Sequence, residues 1–218
     1  MSYLAEYKKS DFKKVTWEEY GKTLEILFGK VDRYVKKNDI RIDAVVPILR
    51  GGSFPGTYLT FKLNLLKILP VQYKYFLSND KIELKKIFSF PRSSFKDNKS
   101  PIFLLVENNH CFGLTASTAA KDLKKMFPDC KIIYAVDHID YSYQKIDNVE
   151  KTFHGKLTNE TKALNDKECK IKKIDNICYL FPWENLNEEM TTVKGKQFAY
   201  GDLDCVYKNS KLKVDLKN

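Results

Sequence analysis

The sequence predicts an α/β fold with a central, mostly parallel sheet flanked by helices, and three observations carry that expectation. Two short apolar runs, residues 43–49 (DAVVPIL) and 102–106 (IFLLV), read as strands buried on both faces. Each is followed by a short glycine-bearing loop and then by apolar residues at helical spacing, the order expected of βα units in a parallel sheet. The 218 residues are 43% hydrophobic and no Pro-, Gly- or Ser-rich linker divides them, so the chain reads as one domain over 1–218.

Thr16-Trp17-Glu18-Glu19 forms a capping box ahead of an apolar stripe of Trp17, Tyr20, Leu24, Leu27, Val31 and Val35, which predicts a first helix packed on the core. The strand at 43–49 ends in Arg50-Gly51-Gly52-Ser53 and leads into a helix over 54–66. Residues 69–76 alternate, and the polar stretch that follows to Lys99 predicts a hairpin with a mobile tip. The strand at 102–106 puts Glu107 and Asn108 at its C-terminal tip; a polar loop runs on to Gly113, and a helix is expected over 115–127. Residues 132–137 make a further strand. The polar, weakly periodic stretch 138–174 is expected to be an insertion, a long loop or a small helical unit. Residues 175–218 are expected to form a hood over the site, with a hairpin within 191–214.

Both glycine-bearing loops suit anions. Ligands of open α/β sheets bind outside the carboxyl ends of the strands, and first-turn N–H groups of a helix attract negative charge through hydrogen bonds and the helix dipole. Gly113 permits close approach of backbone to an oxygen. Arg50 offers fork-shaped donors, and Gly51 with Gly52 exposes backbone N–H groups. Two such loops suit one ligand that carries two separate phosphate groups.

The segment Glu107-Asn108-Asn109-His110-Cys111-Phe112-Gly113-Leu114-Thr115 resembles the signature of the type I phosphoribosyltransferases. That signature is a hydrophobic strand and two acidic positions, then three variable residues, then Thr-Gly-x-Thr. The run VVPILRGGSFPGTYL resembles the pyrophosphate loop of the bacterial and archaeal 6-oxopurine branch. Phe181-Pro182-Trp183-Glu184 resembles the Pro-Trp-acid turn of that branch, and Trp17-Glu18-Glu19-Tyr20 its first helix. The resemblance implies transfer of ribose 5-phosphate from phosphoribosyl pyrophosphate to a purine-like base, with release of pyrophosphate. By the same resemblance, Glu107 and Asn108 meet the ribose hydroxyls and, with Arg50, form the catalytic set. Gly51 and Gly52 hold pyrophosphate beside Arg50, while Cys111, Phe112, Gly113, Leu114 and Thr115 hold the 5-phosphate. Mg2+ is the implied cofactor with Glu107 as its protein ligand, and the Leu49–Arg50 peptide is an implied cis bond.

Several residues depart from the family pattern. Asn108 replaces an acid and removes a negative charge that would help hold a cation. Cys111 stands where purine-using members usually carry a carboxylate that takes a proton from the base, and a thiol of pKa ~8.5 is a poor substitute. Phe112 replaces a threonine. The aromatic residue expected to stack on the base falls at Cys178, with Tyr179 adjacent but on the opposite face of a strand. Asp137 occupies the strand where a lysine is usual and would prefer an amino-bearing ring or a protonated ligand. Asp137 and Tyr179 are therefore the base-binding candidates. These departures also support an alternative: a catalytically weak or inactive nucleotide-binding sensor or effector module on the same fold, with nucleic acid as its candidate partner.

A net charge of +10 suits a polyanionic ligand. It also suits nucleic acid, a partner not favoured because the lysines are spread through the chain. A homodimer is left open. Five scattered cysteines, an odd number without metal-ligand spacing, fit free thiols in a reducing compartment. His110, His138 and His154 are too widely separated for a helical metal motif and read as surface or structural residues. No stretch reaches the ~18 apolar residues of a membrane span, and the first residues lack the apolar core of a signal peptide. The expectation is a cytoplasmic protein with no membrane partner.

Overall fold

A computed structural model of the chain describes residues 10, 12–78, 81–95, 98–111, 113–143, 145–186, 190–193 and 196–199, with backbone alone for 75–78, 81–83, 190–193 and 196–199. The expected hairpin tip at 79–80, Phe112 and residues 200–218 lie outside the described residues.

The chain opens with a short strand β1 (Phe12–Lys14) and helix α1 (Trp17–Lys37), whose start is fixed by the expected box: the Thr16 hydroxyl accepts from Glu19 N and Glu19 Oε2 accepts from Thr16 N. Then follow β2 (Ala44–Leu49), α2 (Ser53–Lys62), the hairpin β3 (Val71–Ser78) and β4 (Lys81–Phe88), β5 (Ile102–His110), α3 (Leu114–Met126) and β6 (Lys131–Asp140). After these come β7 (Lys151–Thr158), α4 (Asp166–Lys172), β8 (Cys178–Leu180) and a second hairpin of β9 (Met190–Val193) and β10 (Lys196–Ala199). The main sheet has the order β4-β3-β2-β5-β6-β7, parallel throughout except at β3–β4. β1 and β8 form a separate parallel pair.

Helices cover both faces of the sheet, which explains why its central strands read as unbroken apolar runs. Leu27 and Val31 of α1 and Leu59 of α2 pack with Val45, Leu104, Val106, Ile133 and Ala135 on one face. Ala116, Ala119, Ala120 and Leu123 of α3 pack with Val46, Leu105, Ile132 and Tyr134 on the other. Val45 with Val46, and Leu104 with Leu105, thus serve opposite cores from neighbouring positions. Since α2 and α3 lie on opposite faces, the chain leaves the adjacent strands β2 and β5 in opposite directions. A crevice at their carboxyl ends is the geometric result.

Three expectations need correction. β5 does not stop at 106 but continues to His110, with Asn109 and His110 paired to His138 and Ile139 of β6. Its polar residues stay in the ladder because each side chain finds a partner: Tyr20 for Asn108, Glu160 for Asn109 and Tyr134 for His110. The second helix ends at Lys62, not 66, with Leu63 as its C-cap and Asn64 left-handed at φ 52°. The stretch 138–174 is neither loop nor purely helical: it supplies the end of β6, the edge strand β7 and α4, with a full capping box at Asn165 and Glu168. Gly155 disguises β7 in the sequence by interrupting its alternation. A Cβ at 155 would lie 2.7 Å from Thr23 O and 2.8 Å from Asp137 O, so the close approach of α1 excludes any larger residue.

Candidate active site

The Arg50 loop lies against β5, the strand that runs on into the loop at 111–113. Pro47 of β2 is in register with Val106 of β5, so Arg50-Gly51-Gly52 emerges next to Glu107 and Asn108. A Cβ on Gly51 would come within 3.1 Å of both Asn108 Cβ and Glu107 Oε1, and one on Gly52 within 2.4 Å of Val106 O. At Gly52, where the turn from β2 into α2 presses on backbone, only glycine fits. Gly52 N donates to Ile48 O at 2.8 Å, and Ser53 closes the turn on Arg50 O through its N–H and hydroxyl, at 3.0 and 2.7 Å. The Leu49–Arg50 peptide is cis, and the Arg50 side chain is exposed at the rim.

The helices that begin at this crevice differ from those that begin elsewhere. α1 and α4 have complete capping boxes, whereas α2 and α3, capped by Gly52 and Gly113, have no side-chain cap. At α3 no capping side chain competes with an anion, whereas at α2 the N–H groups of Gly52 and Ser53 already donate to Ile48 O and Arg50 O and position 55 is a proline. Gly113 is left-handed at φ 71°, and a Cβ there would lie 2.3 Å from His110 Nε2. The imidazole fills the floor under the loop. Its Nδ1 shares a hydrogen bond with the Tyr134 hydroxyl at 3.0 Å, and burial pushes its pKa down to about 4, so it is neutral near pH 7. Thr115 and Leu114 stand half-buried in the first turn of α3.

Glu107 and Asn108 part company within β5. Glu107 Oε1 accepts from Asn108 N at 2.9 Å, while Oε2 bonds no described residue. Desolvation pushes the Glu107 carboxyl up to about 8. Asn108, 3% exposed, is turned toward α1, where its Oδ1 accepts from the Tyr20 hydroxyl at 2.9 Å. Among the described residues no group of three or more His, Cys, Asp or Glu is placed to share a metal ion. One carboxylate with an unused oxygen at the crevice fits a Mg2+ that draws most of its ligands from substrate oxygens and water, and not a protein-built cage.

The base-binding candidates are enclosed. Asp137 is 0% exposed: its Oδ2 accepts from Thr23 Oγ1 at 3.0 Å and from His138 Nδ1 at 2.7 Å, leaving no surface open to a ligand. Burial raises its pKa against the opposing bond from His138. Tyr179 packs its ring on His138, 4.9 Å between centroids, and donates its hydroxyl to Asp175. Cys178 faces the other way, its Sγ 4.0 Å from Glu160 O. The structure therefore joins Asp137 to Tyr179 through His138, inside a core with Tyr20 and Phe181, and does not bring either to the loops.

Cys111 does meet a carboxylate, one that the sequence reading missed. Its Sγ lies 3.3 Å from Glu160 Oε2, which also accepts from Asn109 Nδ2 at 2.9 Å. Glu160 follows β7 and is only 6% exposed; burial raises both its pKa and that of the thiol. Asp140, at the end of β6, pins the segment by accepting from Thr161 N and Oγ1 at 2.9 and 2.6 Å and from Ser142 N and Oγ at 2.8 and 2.6 Å. The signal available in the sequence was the polar cluster Thr158-Asn159-Glu160-Thr161 directly after the disguised strand.

No protein-family model matches the chain, and no curated protein matches it in sequence. Solved structures do match in three dimensions. A purine phosphoribosyltransferase from Pyrococcus horikoshii Ot3 is 16% identical, with a TM-score of 0.55 over 81% of this chain and 96% of that one. A hypothetical protein from Neisseria gonorrhoeae with bound ppGpp is also 16% identical, with a TM-score of 0.60 over 83% of this chain and 93% of that one. At these identities the likeness shows the fold: an α/β architecture whose mostly parallel sheet is flanked by helices.

Proposed function

We propose that this chain, which shares its fold with a purine phosphoribosyltransferase, transfers ribose 5-phosphate from phosphoribosyl pyrophosphate to a purine-like base and releases pyrophosphate. One observation supports the reading: the Arg50-Gly51-Gly52 turn packs against Glu107 and Asn108, on the strand whose end leads into the second anion loop. A sugar with phosphate on one end and pyrophosphate on the other is the ligand that both loops can hold at once. The 5-phosphate belongs at Cys111–Thr115, where α3 begins without a side-chain cap, and the pyrophosphate at Arg50–Gly52. Glu107 Oε2 meets the ribose hydroxyls between them.

As the bond from sugar carbon to pyrophosphate breaks, positive charge grows on the sugar and negative charge on the leaving group. Arg50, exposed at the end of β2, stabilises the latter with its fork of donors. Mg2+, held by Glu107 and substrate oxygens, would neutralise pyrophosphate charge when bound. Ligand donors at Glu107 would lower its raised pKa and favour the carboxylate form.

Calorimetry with phosphoribosyl pyrophosphate and Mg2+, followed by a pyrophosphate-release assay over a panel of bases, tests the proposal. Saturable binding and release with at least one purine are expected. Glu107→Ala should lower turnover at least ~100-fold while shifting the melting temperature little, and unchanged turnover removes Glu107 from the site. Binding without release from any base would favour the alternative, a nucleotide-binding module with weak or no transferase activity. The engagement of Asn108 by Tyr20 and the ppGpp bound to the Neisseria neighbour are the observations on that side.

A further inference from the structure

We infer that Glu160 is the catalytic carboxylate of the acceptor side, taking first the hydrogen bond and then the proton of the ring N–H that attacks the sugar. This rests on the transferase reading above. The chemistry requires such a group: the nitrogen lone pair forms the new bond to the sugar carbon, the pyrophosphate leaves with the electrons of the old bond, and the nitrogen must shed its proton. The described carboxylates near the phosphate loop divide by position. Glu107 lies on the β2 side against Gly51, where the pyrophosphate belongs. Glu160 reaches the other flank of β5 from the end of β7 and touches Cys111 within the phosphate loop itself. Asp137 is fully enclosed, and Asp140 is spent on four donors from Ser142 and Thr161.

The geometry around Glu160 is that of a held functional group. Asp140 fixes Thr161 on one side. On the other, Asn159 accepts from Leu164 N at 2.9 Å and donates to Leu164 O at 2.9 Å and Asn176 Oδ1 at 2.7 Å. A carboxylate is expensive to bury, and a fixed rotamer beside a ligand loop is how positioned bases are built. Two described donors to its Oε2 are unequal: Asn109 is a full amide donor from the sheet, whereas the Cys111 thiol is a weak one. A ring N–H entering beside the loop displaces the thiol and leaves the Asn109 bond in place. Burial and the nearby Asp140 carboxylate make Glu160 a stronger base than an exposed glutamate, against the opposing effects of Asn109, Cys111 and His138.

The test uses the full chain and two variants, Glu160→Gln and Glu160→Asp, with phosphoribosyl pyrophosphate, Mg2+ and the base panel. Glu160→Gln keeps an oxygen for Asn109 but is not a base. It should keep donor affinity within twofold by calorimetry and its melting temperature within about 2 °C, while kcat for pyrophosphate release falls about 100-fold or more and the acidic limb of the kcat–pH profile disappears. Glu160→Asp should recover part of that rate and restore the limb, which also serves if the Gln variant does not fold. Wild-type rates and pH profiles in both variants overturn the inference and leave the transferase reading standing. Parallel losses of donor affinity, stability and rate also overturn it, in favour of a purely structural Glu160. A wild-type chain that binds the donor but releases no pyrophosphate with any base overturns the transferase reading, and this inference with it.

Discussion

At the scale of single residues, the phosphate loop rests on an imidazole that cannot afford a proton. His110 is 3% exposed, bonded to Tyr134 and covered by Gly113, and burial holds its pKa near 4 although Asp140 pulls the other way. The ordinary value in an unfolded chain is about 6.5. Between those values the unfolded chain takes a proton that the folded one refuses, so this contribution to stability is present above about pH 6.5 and is lost as pH falls toward 4. Thermal unfolding from pH 7 to 4 should therefore be steeper in pH for the wild type than for His110→Gln, whose amide can still accept from Tyr134. Equal slopes would show that the imidazole titrates normally in the fold. Gly52 and Gly113 set the same limit in steric form, since neither turn has room for a methyl group.

At the scale of elements, the decisive piece is β7 with the turn that follows it. Replacing Asp140 by Ala removes the acceptor for two N–H groups and two hydroxyls. At about 1 kcal/mol per bond, and partial rescue by water at half-exposed Thr161 and exposed Ser142, a loss of about 2–4 kcal/mol is expected, or about 5–15 °C in melting temperature. Turnover should fall further than donor affinity, because Glu160 loses its support while the loops at Gly52 and Gly113 do not; equal falls in both would argue that the turn does not serve the acceptor side. Much of the surrounding architecture was legible in the residues. The capping box at Thr16, the apolar runs in β2 and β5 and the glycine turns each act within a few positions of sequence, so local pattern reveals them. β7 was hidden because its key position is a glycine dictated by α1, and Glu160 because its partners, Asn109 and Cys111, lie far away in the chain. Asp137 and Tyr179 stay hidden for the same reason: nothing local says that Thr23 and His138 take Asp137 Oδ2 and Asp175 takes the Tyr179 hydroxyl inside a core.

At the scale of the whole molecule, a net charge of +10 acts at a distance on any polyanion. The Debye length shrinks from roughly 20 Å at 20 mM salt to about 4 Å at 0.5 M, so the association rate of phosphoribosyl pyrophosphate should drop several-fold across that range. Dissociation, governed by contacts inside the crevice, should change much less, and stopped-flow measurement of both rates separates the two. A salt-independent association rate would mean that the charge is arranged away from the crevice. The aromatic cluster offers the means to watch this. Trp17 and Trp183 are the chain's two tryptophans, 5.8 Å apart, and Trp183 stacks at 4.2 Å on Phe54, which directly follows Ser53 at the start of α2. The molecule thus carries an intrinsic optical gauge: all of its indole emission originates from one place, a residue or two from the Arg50 turn, and ligand seating can be followed by the protein's own light without a dye.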